Sequence, residues 1–165
     1  MQNNGKDKSC YIFGMLLILA ALAVFIGLRL KQPKATEADL SALEAELKAA
    51  GLTKGTASGT EAMLKRNFDL LPSSWSEVLY FMPDNFMNVD EILLIRLPDG
   101  SSAESVRRAM EKRLETMKNT FENYGTDQFS LMQKAQIYAN GPYVCYTAGH
   151  CAEEAMALIR SRIER

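Results

Sequence analysis

Apolar positions fall into three regimes along the chain: an unbroken run near the start, short β-rich stretches in the middle, and helical stripes around them. Tyr11 to Leu28, YIFGMLLILAALAVFIGL, is eighteen residues without a charge, with Lys6 and Lys8 before it and Arg29, Lys31 and Lys34 after it. As a helix this run covers about 27 Å, near the roughly 30 Å hydrocarbon core of a bilayer, and the flanking cations can snorkel to the headgroups. It predicts a single transmembrane anchor over 11–30 behind a short tail, 1–10. The run exceeds the apolar core of a cleaved signal peptide, about 7 to 15 residues, and three cations separate it from the small residues Ala35 and Ala38, so a retained anchor is expected. No Cys stands just after the run, which removes a lipoprotein signal; Cys10 precedes it.

Beyond the anchor, Leu40, Leu43, Leu47 and Ala50 recur at helical spacing behind a Thr36 N-cap. They predict a juxtamembrane helix over 36–51, ended by Gly51 and too short for a coiled coil. Thr53 to Thr60, TKGTASGT, is small and polar, so 52–60 is expected to be a flexible linker to a domain over 61–165. In that domain Glu61–Leu70 predicts a helix closed by Pro72-Ser73-Ser74. Glu77–Met82 (EVLYFM) and Glu91–Leu97 (EILLIRL) predict strands, the second inside the sheet. Pro98-Asp99-Gly100 is a turn, and Ser101 with Glu104 has capping-box spacing. Val106, Met110, Leu114, Met117, Phe121 and Tyr124 then form one stripe of a long helix. Gly125 stands where a left-handed residue ends a helix, and Thr126 or Asp127 can cap a short one. Ala135–Asn140 and Tyr143–Ala148 predict a hairpin, with Pro142 admitting a turn longer than two residues, and Cys151–Arg162 the last helix. Two strand pairs around a long helix predict an α+β fold: a two-layer domain with a mostly antiparallel sheet of about four strands and helices packed on it.

Charge narrows the partners. Of 19 Lys/Arg and 20 Asp/Glu, residues 1–35 hold five and one, which leaves 14 against 19 and a net charge of −5 for the rest. Lys65-Arg66 and Arg107-Arg108 sit among carboxylates, as on a solvated helix face, so nucleic acid is excluded as a partner class. The cations flanking the anchor are nearly balanced and fix no orientation by themselves, with a slight lean toward a cytoplasmic domain.

Candidate chemistry is sparse. Cys145, His150 and Cys151 are the reactive types near one another, and His150 is the single histidine. They admit a thiol-dependent hydrolase or redox site, a Cys145–Cys151 disulfide, a metal site, or a structural role, and the spacing favours the last. Phosphate-loop, zinc-protease, calcium-loop and serine-hydrolase patterns do not occur in the sequence, so no cofactor and no metal are expected. Arg113 lies between stripe residues Met110 and Leu114. A charge at the edge of a buried face needs a partner, which points to Glu91 or Asp90 across the helix–sheet interface, unless Arg113 lies exposed with its stem over the sheet.

Met87-Asn88-Val89-Asp90-Glu91-Ile92, Val106 to Arg113 (VRRAMEKR), Phe121-Glu122-Asn123-Tyr124 with Asp127-Gln128, and Gly141-Pro142-Tyr143-Val144 follow one another in an order and spacing that resembles the bacterial family of unknown function 4358, over about residues 63–165. The resemblance implies an extracytoplasmic domain behind a membrane anchor or signal, in the envelope of mostly Gram-positive bacteria, and no reaction. The expectation is a single-pass membrane protein with a non-catalytic domain that binds an envelope protein or a small ligand. Glu91, Arg113, Tyr124 and Gln128 are the candidate binding residues, expected to converge where the long helix ends.

Overall fold

The computed structural model describes Met15 and residues 38–164. The apolar run Tyr11–Leu28, Met15 apart, and the Thr36 cap lie outside the described residues, among which no helix is long and apolar enough to cross a membrane. Residues 38–164 belong to one compact unit.

Helix α1 spans Leu40–Ala49, its N-cap being Asp39, whose carboxylate accepts from Ser41 N and Ala42 N. Gly51 ends it, as the sequence predicts, at φ +71° in the left-handed region. Then come β1 (Thr56–Ser58), α2 (Glu61–Phe68), a 3-10 turn at Pro72–Ser74, β2 (Glu77–Pro83), β3 (Glu91–Arg96), α3 (Ala103–Phe121), α4 (Thr126–Gln133), β4 (Gln136–Asn140), β5 (Tyr143–Ala148) and α5 (Ala152–Ile163). The sheet has five strands in the order β1-β2-β3-β5-β4, and every neighbouring pair is antiparallel.

The fold is α+β, with one strand and one layer more than the sequence predicts. The extra strand is β1, formed by the segment expected to be a linker: Thr56, Ala57 and Ser58 pair with Pro83, Met82 and Phe81. Small polar residues suit an edge strand that buries little, so their composition resembles a linker's. The extra layer follows from β3 and β5. Leu93 and Ile95 face one core with Tyr80, Val144 and Tyr146 under α2, α3 and α4. Ile92 and Leu94 face another with Tyr143 and Cys145, covered by Leu40, Leu43 and Leu47 of α1 and by Ala155, Met156 and Ile159 of α5. Strands apolar on both faces need a cover on each side, at roughly 2 kcal/mol for each large side chain buried. Hence α1 is part of the domain rather than a separate juxtamembrane helix, and Ala38 N donates to Tyr143 Oη at 2.8 Å. Removing its cap with Asp39→Ala should lower global stability by about 1 kcal/mol. Urea unfolding checks this, since a detached helix would leave the midpoint unmoved.

Other details shift locally. The cap of α3 is Ser102, whose Oγ accepts from Glu104 N, and not Ser101. Tyr124 falls past the end of α3 and is 64% exposed, so it leaves the buried stripe. Gly125 is at φ −127°, outside the left-handed region. Its need for glycine is steric, because a Cβ there would lie 2.6 Å from Phe121 Cδ1. The hairpin closes on Asn140↔Tyr143 with a two-residue loop, in which Gly141 at φ +55° precedes Pro142. A glycine at that first position is what a type II′ turn requires.

Candidate functional site

Alternation along β3 places Glu91 on the same face as Leu93 and Ile95, where it is 1% exposed. A buried carboxylate persists only when its lone pairs are filled. Arg113 reaches down from α3, its Nε 3.1 Å from Glu91 Oε2 and its Nη2 3.4 Å from Oε1. From the neighbouring strand Tyr80 Oη donates to Glu91 Oε1 at 2.7 Å, and Asn67 Nδ2 on α2 donates to Tyr80 Oη at 2.8 Å. The guanidinium lies 5.9 Å from the centre of the Phe68 ring. Burial pushes the Glu91 carboxyl up, against Arg113, which pulls it down. Burial and the Glu91 charge push the Tyr80 hydroxyl up as well.

Gly59 lets this network close, since a Cβ there would lie 1.9 Å from Tyr80 Cδ1. Beside it, Tyr146 Oη is buried without a hydrogen-bond partner among the described residues. Tyr146→Phe removes that orphan and keeps the ring's edge-on contact with Phe68 at 5.9 Å. The variant should therefore match the parent or gain up to about 1 kcal/mol in thermal unfolding.

Where Glu91 turns inward, its neighbour Asp90 stays at the sheet's end and organises a cleft. Asp90 N donates to Asn88 Oδ1, and Asp90 Oδ1 accepts from His150 N at 2.6 Å, with the ring Nδ1 of His150 at 3.1 Å. This approach requires Gly149, at φ +98°, where a Cβ would fall 2.0 Å from Asp90 Oδ1. The cleft holds about 330 Å³, with Lys54, Thr56, Asp90, His150 and Cys151 around a floor that includes Leu52 and Ile92. Lys54 is exposed and forms no ion pair among the described residues, and the His150 side chain is 68% exposed. A cationic arm and an imidazole held by a carboxylate thus meet over an apolar floor, which suits orienting a small polar ligand.

The structure brings together only two of the four candidate binding residues. Glu91 and Arg113 pair as the sequence predicts, but the pair is internal and fully engaged. Tyr124 lies about three helical turns beyond Arg113, its ring 5.8 Å from that of Phe121, and half-buried Gln128 stands beside Gly125 on α4. The expected convergence at the end of α3 is therefore not found.

The cysteines are not bridged: Cys145 and Cys151 are both free. Cys145 packs inside the α1/α5 core, its Sγ 3.3 Å from Tyr138 O and 3.5 Å from Met156 Sδ, and burial pushes its thiol up to about 12. Burial, followed by Glu154 and Asp90, also raises the thiol of Cys151. Both effects suppress the thiolate that thiol chemistry needs. Among the described residues no group of His, Cys, Asp and Glu is placed to hold a metal ion. Asn67, Tyr80 and Lys54 carry no motif. Alternation alone could have flagged Tyr80, which shares a strand face with Val78 and Met82 and pairs with Leu93, two residues from Glu91 on the same face.

The family model described as a domain of unknown function, DUF4358, matches residues 48–149. No curated protein and no solved structure matches the chain. The matched stretch runs from the end of α1 to Gly149. It contains Lys54, Asn67, Tyr80, Asp90, Glu91, Arg113 and Tyr146, and stops before His150 and Cys151.

Proposed function

The chain belongs to the DUF4358 family, and we propose that it is a single-pass membrane protein whose domain is displayed outside the cytoplasm and binds an envelope protein or small ligand, without catalysis. The observation that carries the binding part is the cleft in which Lys54, Asp90 and His150 meet around an apolar floor. Its walls come from the Lys54–Thr56 stretch, the start of β3 and the turn after β5, and the internal Glu91–Arg113 pair fixes the middle of these. Cys145 and Cys151 both have raised thiols, which favours recognition over covalent chemistry. The anchoring part is supported by the eighteen-residue apolar run and its flanking cations. The extracytoplasmic side is supported by the family resemblance.

In-cell photo-crosslinking from the cleft tests the binding. A photoreactive residue at Thr56 should give an adduct detectable by mass spectrometry that is lost on adding Asp90→Ala. The same probe at exposed Glu115 on α3 should give none. Equal or absent adducts at both positions would reject the cleft as the binding site.

A further inference from the structure

The cleft at the start of β3 carries two opposite charges that do not cancel each other. Lys54 and Asp90 both line it, yet Lys54 forms no ion pair among the described residues. Cys151 feels both charges: burial raises its thiol most, Glu154 and Asp90 add to the rise, and Lys54 opposes it. The two charges therefore act on one point in a space of about 330 Å³, at the small end of ligand pockets. Each is left for a ligand to meet.

The Asp90 carboxylate is only half used. Oδ1 accepts from His150 N, whereas Oδ2 meets only the ring Nδ1, at 3.2 Å, among the described residues. Oδ2 stands beside the Gly55 wall of the cleft, where an added Cβ would lie 3.4 Å from it. Facing a carboxylate, Nδ1 holds the ring proton, so Nε2 of the neutral imidazole is an acceptor. Asp90 and His150 thus offer acceptors to a cation, and the exposed Lys54 ammonium offers donors to an anion. Two further carboxylates lie near but do not compete. Glu91 is turned to Arg113 and Tyr80, and Glu154 does not line the cleft.

Taking the cleft to be the binding site, as above, we propose that its ligand is a free α-amino acid with an apolar side chain. The ammonium is met by Asp90 and His150, the carboxylate by Lys54, and the side chain lies over Leu52 and Ile92. A simple carboxylate would bring a second negative charge beside Asp90, and a simple amine a second positive charge beside Lys54. Each is therefore selected against by the charge it does not match. A ligand carrying both signs close together matches both.

His150 is the single histidine, so histidine-selective isotope labelling of the untagged full chain in detergent micelles gives one imidazole signal, in the cleft. Leucine of either hand should shift that signal saturably. Two fragments of leucine separate its charges: 4-methylpentanoate lacks the ammonium, and 3-methylbutylamine lacks the carboxylate. Each should bind at least about tenfold more weakly than leucine. In Lys54→Met, a change at an exposed position that spares the fold, the advantage of leucine over 3-methylbutylamine should vanish. Either fragment binding as tightly as leucine, or an undiminished advantage in Lys54→Met, overturns the amino acid as ligand and leaves the cleft standing. A His150 signal that leucine does not move overturns it too. In that case adducts still formed from Thr56 confine the failure to the class of ligand, and their absence extends it to the cleft.

Discussion

Arg113→Met should destabilise the domain by about 3–5 kcal/mol, out of the roughly 5–15 kcal/mol that holds a domain of this kind folded. Met matches the length of the arginine stem, so packing against α3 changes little. What changes is that Glu91, 1% exposed, loses the only cation it touches among the described residues. Denaturant unfolding measures the loss, and a drop below about 1 kcal/mol would show that the ion pair contributes little net stability. The effect also carries a pH signature. Burial already holds the Glu91 carboxyl above its ordinary 4.5, so folding favours the protonated form, and stability falls as pH rises from that value toward the raised one. Arg113 opposes the shift. Without it the carboxyl is pushed up further and the loss continues to higher pH, so Arg113→Met should come closest to the parent in acid. Glu91→Gln/Arg113→Met removes the charge while leaving Tyr80 an acceptor. It should recover most of the stability and flatten the added pH dependence.

Gly149→Ala should cost about 3 kcal/mol and open the cleft. Two terms add: a side chain at φ +98°, and a Cβ placed 2.0 Å from Asp90 Oδ1 and 2.6 Å from Asp90 Cα. The second contact is to backbone, which no rotamer change relieves. Gly100→Ala separates the terms, because Gly100 has φ +77° and nothing within 4 Å of an added Cβ, so it should cost only about 1 kcal/mol. Thermal unfolding ranks the two. NMR of the His150 imidazole reports the cleft, since displacing Asp90 removes the carboxylate at 3.1 Å from Nδ1. Equal losses for the two variants would mean that the close approach at Gly149 is not rigid.

What could be read from the sequence followed from one-dimensional rules. Arg113 on an apolar stripe pointed to Glu91 or Asp90 as a partner or to an exposed head with its stem over the sheet, and the fold decides for Glu91. The hairpin, the long helix and the helix ending at Gly51 were legible from turn chemistry and spacing for the same reason. The second helical layer was legible in principle, because Glu91–Leu97 is apolar at both parities, yet two-layer packing leaves one parity uncovered. β1 was not legible, since its residues bury too little to leave a pattern. The cleft was not legible either. It depends on Gly149 letting the β5–α5 turn reach Asp90, a contact between residues sixty positions apart. Tyr124 was misplaced because helical spacing continues on paper past Phe121, where α3 ends.

The side of the membrane on which the cleft opens is the most direct test of the proposed function. Phe86, on the loop between β2 and β3, is 89% exposed and suits a labelling site. In a Cys10→Ser, Cys151→Ser background, Phe86→Cys should react with a membrane-impermeant maleimide on intact cells as fully as after lysis. Labelling that appears only after lysis would place the domain in the cytoplasm and contradict the account.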